Sequence, residues 1–188
     1  MAKAYVFLAD GFEIIEALAP IDILRRGGIE VTTVSIMQRR EVVGSKDLPV
    51  IADTLFEEVG SFDDADLLAL PGGWPGADNL NKFQPLRQLL IEHHAKGKRI
   101  GAICAAPMVL GSLGLLKGRK ATCFPGFEQH LEGCDITHDL VTVDGQITTA
   151  EGPAAALPYG FTLLSHFRSP EEVDEQKEVM RYKHLMEG

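Results

Sequence analysis

Basic residues are scarce and scattered. The chain carries 18 Lys and Arg against 27 Asp and Glu, a formal net charge of −9. No run of Lys or Arg exceeds a pair, as at Arg25–Arg26, Arg39–Arg40 and Arg119–Lys120. A broad phosphate-binding surface has no source here, which disfavours nucleic acid as a partner. Long apolar runs are missing too. None approaches the roughly 20 residues that span a bilayer, so no membrane association is expected. The N-terminal run Tyr5–Leu8 meets Asp10 too early for a secretory core and reads better as a first strand. A cytoplasmic location is the expectation. Cysteines number three, at 104, 123 and 134, with no C-x-x-C among them. An odd count without that spacing argues against a disulfide framework and against a zinc ribbon. The six histidines form no cluster with metal-ligand spacing. No metal and no cofactor is expected.

What remains is an ordinary globular composition, 45% apolar and 24% charged over 188 residues. That length suggests one domain with a core large enough to need no staples. Short apolar runs alternate with helical patterns. Strands are predicted at Tyr5–Leu8, Val31–Ile36, Leu67–Leu70 and Ile100–Ile103. Hairpins are predicted over Glu41–Ile51 and over Leu140–Thr149, the second turning at Asp144-Gly145. Helices are predicted over Phe12–Arg26, with a kink or new turn at Pro20, and over Phe83–Lys96, Ala105–Leu113, Ala154–His166 and Pro170–Leu185. His93-His94 is expected to be solvated on its helix. The alternation implies an α/β fold. The architecture expected is a single-domain three-layer sandwich, with a mostly parallel, doubly wound, flavodoxin-like sheet and hairpin additions. Residues 1–168 form the domain, and 169–188 a helical extension of it. Sites in such sheets gather at the carboxyl ends of strands. That rule singles out Asp10 to Glu16, the Pro71-Gly72-Gly73 turn and the Ile103-Cys104-Ala105 junction.

Each of these has two readings. Cys104 sits among small residues where a strand turns into a helix, an elbow that pushes a side chain outward. Near a helix N-terminus the thiolate is favoured; alternatively Cys104 is a small buried hydrophobe. Glu16 lies in the apolar stretch Ile14–Ala19, where a carboxyl would have a raised pKa. Alternatively it is an exposed acid complementing a helix dipole. Gly72 and Gly73 allow backbone N–H groups to face a developing oxyanion; alternatively they make an ordinary turn.

Four motifs occur in order: Gly11-Phe12-Glu13-Ile14-Ile15-Glu16-Ala17, Leu70-Pro71-Gly72-Gly73, Ala102-Ile103-Cys104-Ala105-Ala106-Pro107 and Glu151-Gly152-Pro153. Together they resemble the DJ-1/PfpI superfamily of class I glutamine amidotransferase-like proteins, in the branch of the parkinsonism-associated protein deglycase. The resemblance covers about residues 3–167. It implies that Cys104 is an oxidation-sensitive nucleophile, that Glu16 is the acid contacting its sulfur, and that Gly72 and Gly73 supply backbone donors. The candidate catalytic set is Cys104, Glu16, Gly72, Gly73 and Ala105. A homodimer is implied, with the first helix near its interface. The chain departs from the family at Phe124, where a His before Pro is common, at Ala106, where a Gly is common, and at Glu151, where a basic residue is often found. Cys123 reads as packing and Cys134 as a loop thiol.

The expected function is a cysteine-dependent stress-response protein, a cofactor-independent glyoxalase or deglycase acting on small α-oxoaldehydes or their adducts. The alternatives are a redox sensor or chaperone whose Cys104 oxidises to sulfinate, a scaffold that has lost the chemistry, and an intracellular cysteine peptidase or amidase. The last ranks lower without a histidine base.

Overall fold

Strand β1, Lys3–Leu8, is buried on both faces. Ala4, Val6 and Leu8 enter one core cluster, while Tyr5, Phe7 and Ala9 enter the other. A strand with two apolar faces must be covered on both sides, and the computed structural model, which describes residues 1–187, shows that arrangement. After β1 the chain forms α1 (Ile14–Arg26), β2 (Glu30–Ser35), β3 (Glu41–Val43), β4 (Pro49–Ile51), β5 (Thr54–Leu55), β6 (Leu67–Leu70), α2 (Gly76–Lys82), α3 (Gln84–Ala95) and β7 (Arg99–Ile103). It continues through α4 (Pro107–Ser112), β8 (Lys120–Ala121), β9 (Asp135–Ile136), β10 (Val141–Asp144), β11 (Ile147–Ala150), α5 (Ala156–Ser165), α6 (Pro170–Val179) and α7 (Tyr182–Glu187).

Seven strands form one sheet in the order β10-β11-β7-β6-β1-β2-β5. Six of them run parallel, and β10 closes one edge as the antiparallel partner of β11. One face is covered by α1 and α5, whose Ile23, Leu24, Tyr159 and Leu163 are fully buried. The other carries Leu80, Leu86, Leu90 and Val109 from α2, α3 and α4. The fold is thus a mostly parallel, flavodoxin-like α/β sandwich. The chain leaves β1 toward β2 and β5, then returns to β6 beside β1 and proceeds to β7 and β11. The order therefore reverses between β1 and β6, and a crevice opens beyond their carboxyl ends.

Four expectations need correction. Pro20 does not interrupt α1, which runs unbroken through it with Pro20 buried. The C-terminal segment is two helices rather than one, because Arg181 takes a left-handed φ of 58° between them. His93 is not solvated; it is 3% exposed, and its Nε2 lies 3.0 Å from the Arg99 carbonyl oxygen. The face of α3 that packs on the sheet carries it inward, and burial lowers its pKa to about 4. Helix α2 and the short β5, β8 and β9 were not anticipated, being too brief to show a period.

Close packing of α5 on the sheet depends on Gly101 in β7. A Cβ there would lie 2.4 Å from the Tyr159 hydroxyl oxygen and 3.1 Å from Leu163. Gly101→Ala should destabilise the fold by about 2 kcal/mol, read as a lower urea midpoint. Tyr159→Phe in the same chain should recover part of the loss, because it removes the clashing atom. An unchanged midpoint in the single variant would show that α5 can shift.

Candidate active site

Three segments end at the crevice. β1 leads into α1 and delivers Glu16, β6 ends at the Pro71-Gly72-Gly73 turn, and β7 ends at Cys104. Cys104 has φ +64°, a left-handed backbone that an ordinary side chain adopts only under constraint. The constraint is visible on both sides of the residue. The Cys104 N–H donates to the Ala150 carbonyl at 2.8 Å, and its own carbonyl accepts the Phe124 N–H at 2.9 Å. The elbow is therefore pinned between the end of β11 and the segment after β8. Helix α4 begins three residues later at Pro107.

Glu16 occupies the first turn of α1. Glu13 caps that helix, its Oε2 accepting the Glu16 N–H at 2.8 Å. The cap fixes the phase of the turn, so the Glu16 side chain points into the sheet and is only 1% exposed. Its Oε2 accepts the Gly72 N–H at 3.0 Å, its Oε1 is buried with no hydrogen-bond partner among the described residues, and the carboxyl lies next to Cys104, whose Cβ borders the same space at Gly72. The Gly73 and Ala105 N–H groups lower the thiol pKa, against the effect of burial. Gly72 fits because it lacks a side chain. A Cβ on it would lie 2.6 Å from Glu16 Oε2 and 2.7 Å from Cys104 Cβ. Gly73 has φ +86°, which turns the chain away toward α2 while its carbonyl accepts the Ala77 N–H.

All five candidate residues, Cys104, Glu16, Gly72, Gly73 and Ala105, thus meet at one place. Their protonation differs from that expected of a thiol at a helix end. Burial, then the charge on Glu16, pushes the Cys104 thiol up to about 12. Burial also pushes Glu16 up to about 7. The crevice tolerates one negative charge but resists two. Cys123 is buried, and burial raises it to about 12. Cys134 is half-buried, with its thiol on the Arg119 carbonyl.

Phe124, where a histidine was looked for, is 42% exposed beside the elbow. Among the described residues no histidine makes a hydrogen bond or ring contact to Cys104 or Glu16. His130 lies against Phe127, His166 Nε2 lies 2.9 Å from Thr148 Oγ1, and His94 lies beside Arg119. No group of three or more potential metal ligands occurs among the described residues. Sequence reasoning missed Trp74, which follows the Gly72-Gly73 turn and is 60% exposed. A bulky aromatic directly after a donor turn was the available signal.

Comparison with known proteins agrees with this geometry. Residues 2–166 match the model of the DJ-1/PfpI family. Protein DJ-1 homolog B of Arabidopsis thaliana is 35% identical over 175 residues, 92% of this chain but 40% of that protein. The chain therefore spans well under half the length of that relative. A protein of Schizosaccharomyces pombe named glutathione-independent glyoxalase DJ-1 is 30% identical over 181 residues, covering 92% of this chain and 94% of that one. The solved structure of Toxoplasma gondii DJ-1, in an oxidized form, superimposes with a TM-score of 0.91 at 34% identity, covering 96% of this chain and 98% of its own. A parallel sheet that sets a pinned cysteine elbow against a buried acid, together with a match over nearly the whole chain, places this protein in the DJ-1/PfpI family.

Proposed function

We propose that the chain is a cysteine-dependent stress-response enzyme that converts small α-oxoaldehydes, free or as adducts, into 2-hydroxy acids without a cofactor. The observation that carries this reading is the Glu16 carboxyl, 1% exposed, held on the Gly72 N–H and packed beside Cys104. A glyoxalase needs one nucleophile and one group able to move protons between adjacent carbons. Here a thiol and a carboxyl whose pKa is raised to about 7 stand together, a value matched to proton transfer near neutrality. The name of the S. pombe relative, glutathione-independent glyoxalase, supports the same chemistry.

In the first step Glu16 as carboxylate takes the thiol proton while Sγ attacks the aldehyde carbon. A C–S bond forms and the carbonyl π bond becomes an oxyanion. The Gly73 and Ala105 N–H groups, which favour negative charge on the sulfur, are the candidate donors to that oxygen. Glu16 returns the proton to the oxyanion, giving a hemithioacetal. It then removes the C1 proton to form an enediolate and delivers that proton to C2, while the C1 hydroxyl proton passes to the C2 oxygen. The product is a thioester of the 2-hydroxy acid, which water hydrolyses to release the acid and the thiol. C1 is oxidised and C2 reduced within one molecule, so no external oxidant is needed. An adduct of the same aldehyde would enter by the same attack.

The competing readings lose support. Peptide hydrolysis commonly relies on a histidine to protonate the leaving amine, and among the described residues no histidine makes a hydrogen bond or ring contact to Cys104. A sensor was expected to have a low-pKa, accessible thiol, whereas Cys104 is 9% exposed and its pKa is raised. The three free thiols fit a reducing compartment, consistent with a cytoplasmic protein. No described helix is long and apolar enough to cross a membrane. A homodimer is supported by exposed apolar side chains on α1 and the neighbouring hairpin, with Ile15 53%, Leu18 37%, Leu48 50% and Ile51 65% exposed.

Three outcomes are expected. Wild-type protein forms lactate from methylglyoxal without glutathione, and Cys104→Ser reduces this to background; equal rates would remove the reading. Second, Glu16 binds its proton more tightly folded than unfolded, so its stabilising contribution is complete below pH 4.5 and lost as pH rises through about 7. The stability of wild type relative to Glu16→Gln should fall across that window by an amount on the order of 3 kcal/mol. Denaturant melts at pH 4.5 and 7.5 measure it, and parallel curves would contradict the burial argument. Third, Leu18→Glu should convert a sedimenting dimer to monomer.

A further inference from the structure

Both backbone partners of the Cys104 elbow continue into walls of the same apolar groove. The Phe124 N–H donates to the Cys104 carbonyl, and Ala150, whose carbonyl accepts the Cys104 N–H, precedes Glu151 and Gly152. The groove, about 230 Å³, is lined by Phe124, Pro125, Leu140 and residues 151–155, the Glu151 carboxylate included. Leu140 is 55% exposed there. The Phe124 ring lies across Gly152, 3.1 Å from where a Cβ would stand. Trp74, 60% exposed, stands outside this lining, in the segment after the Gly72-Gly73 turn. Its ring lies tilted against Phe127, 6.0 Å between centroids. The Phe127 N–H in turn donates to the Phe124 carbonyl at 3.0 Å. Two exposed aromatic rings are thereby tied into one framework around the cysteine.

The segments that build the elbow and its surroundings carry acids alone, and the histidines beside them are His130, against Phe127, and His138, near Glu128. Segments 11–16, 72–76, 104–107, 122–128 and 151–155 hold the acids Glu13, Glu16, Glu128 and Glu151 and contain no Lys, Arg or His. An approaching anion therefore meets carboxylates and apolar rings, with no basic side chain in these segments to receive it.

We propose that the groove and the Trp74–Phe124 rim form a selectivity site that takes the apolar substituent of an uncharged carbonyl substrate and turns anionic substrates away. The inference rests on reading Cys104 as the nucleophile. It predicts that aryl or branched α-oxoaldehydes are better substrates than small ones, and that phosphorylated or carboxylated ones are poor. A groove of this volume holds a phenyl ring, and partial burial of such a ring is worth about a tenfold preference.

The test needs no turnover. Cys104 is alkylated with iodoacetamide, N-benzyl iodoacetamide and iodoacetate, followed by peptide mass spectrometry, and each rate is divided by that of free cysteine. The benzyl reagent should be favoured about tenfold over iodoacetamide, and iodoacetate should be disfavoured about tenfold. Phe124→Ala and Trp74→Ala should each reduce the benzyl preference, and Glu151→Gln should partly restore iodoacetate. Equal normalised rates for the three reagents would overturn the proposal. So would an unchanged benzyl preference in Phe124→Ala with a change in oligomeric state, because a second copy would then cover the groove. If the ratios appear as expected while no oxoaldehyde is consumed, the glyoxalase reading fails and the selectivity site stands.

Discussion

A carboxyl taken out of water beside a sulfur has to be held from every side, because two negative charges cannot share a space that water does not reach. Gly72 does much of that holding. Its N–H bonds to Glu16 Oε2 while its missing side chain leaves the only room in which Glu16 and Cys104 can meet. Three strands are needed to bring this about, since β1, β6 and β7 each supply one of the three residues. Their parallel alignment puts all three at the same end of the sheet, at the point where strand order reverses. The left-handed backbone at Cys104 belongs to the same constraint. It costs on the order of 1–3 kcal/mol, and hydrogen bonds from the two flanking segments hold it in place.

Much of the fold could be read from the chain before its structure. Leu67–Leu70 and the hairpin ending at Ala150 are apolar runs bounded by turn residues, and such runs locate strands whatever packs on them. Burial on both faces follows from runs that do not alternate, as in β1. What could not be read depends on contacts distant in sequence. An acid in the first turn of a helix reads as a surface group, and Glu16 is buried because the Glu13 cap sets its phase and Gly72 lies opposite. His93 reads as solvated beside His94, yet one residue of helical rotation separates a buried ring from a partly exposed one. Resemblance to the family supplied the pairing of Glu16 with Cys104. Local sequence supplied each residue only as one of two readings.

The proton also behaves differently from what a helix end alone would suggest. Helix α4 has six residues and begins three residues beyond the cysteine, so its dipole is weak at the sulfur. Burial and the neighbouring carboxyl dominate, and both oppose a free thiolate. Nucleophilic power must then come from a base that accepts the proton as the C–S bond forms. Glu16 is placed for that task, and a carboxyl near pH 7 in its affinity for the proton can also give it back. Lacking histidine at position 124 is therefore compatible with the proposed oxoaldehyde chemistry, where water attacks the thioester and the Cys104 sulfur is the group expelled, and less favourable for amide cleavage, where an amine must be protonated.

The acidic, aromatic mouth and the single-charge crevice express one requirement. In the proposed reaction, rearrangement of the hemithioacetal would build negative charge on the substrate as the C1 proton departs, and Glu16 would be neutralised by that same proton. Total charge in the crevice would then stay at one until hydrolysis. A substrate arriving with its own anionic group would add a second, so exclusion at the mouth protects the proton balance beneath it. The product, by contrast, gains a carboxylate only when water cleaves the thioester. It becomes an anion in a site bordered by Glu13, Glu128 and Glu151, where charge repulsion favours its departure. Substitution of an acid at position 151 for the basic residue frequent in the family is thus in keeping with the proposed reaction, in which neutral carbonyl compounds would enter and acids would leave.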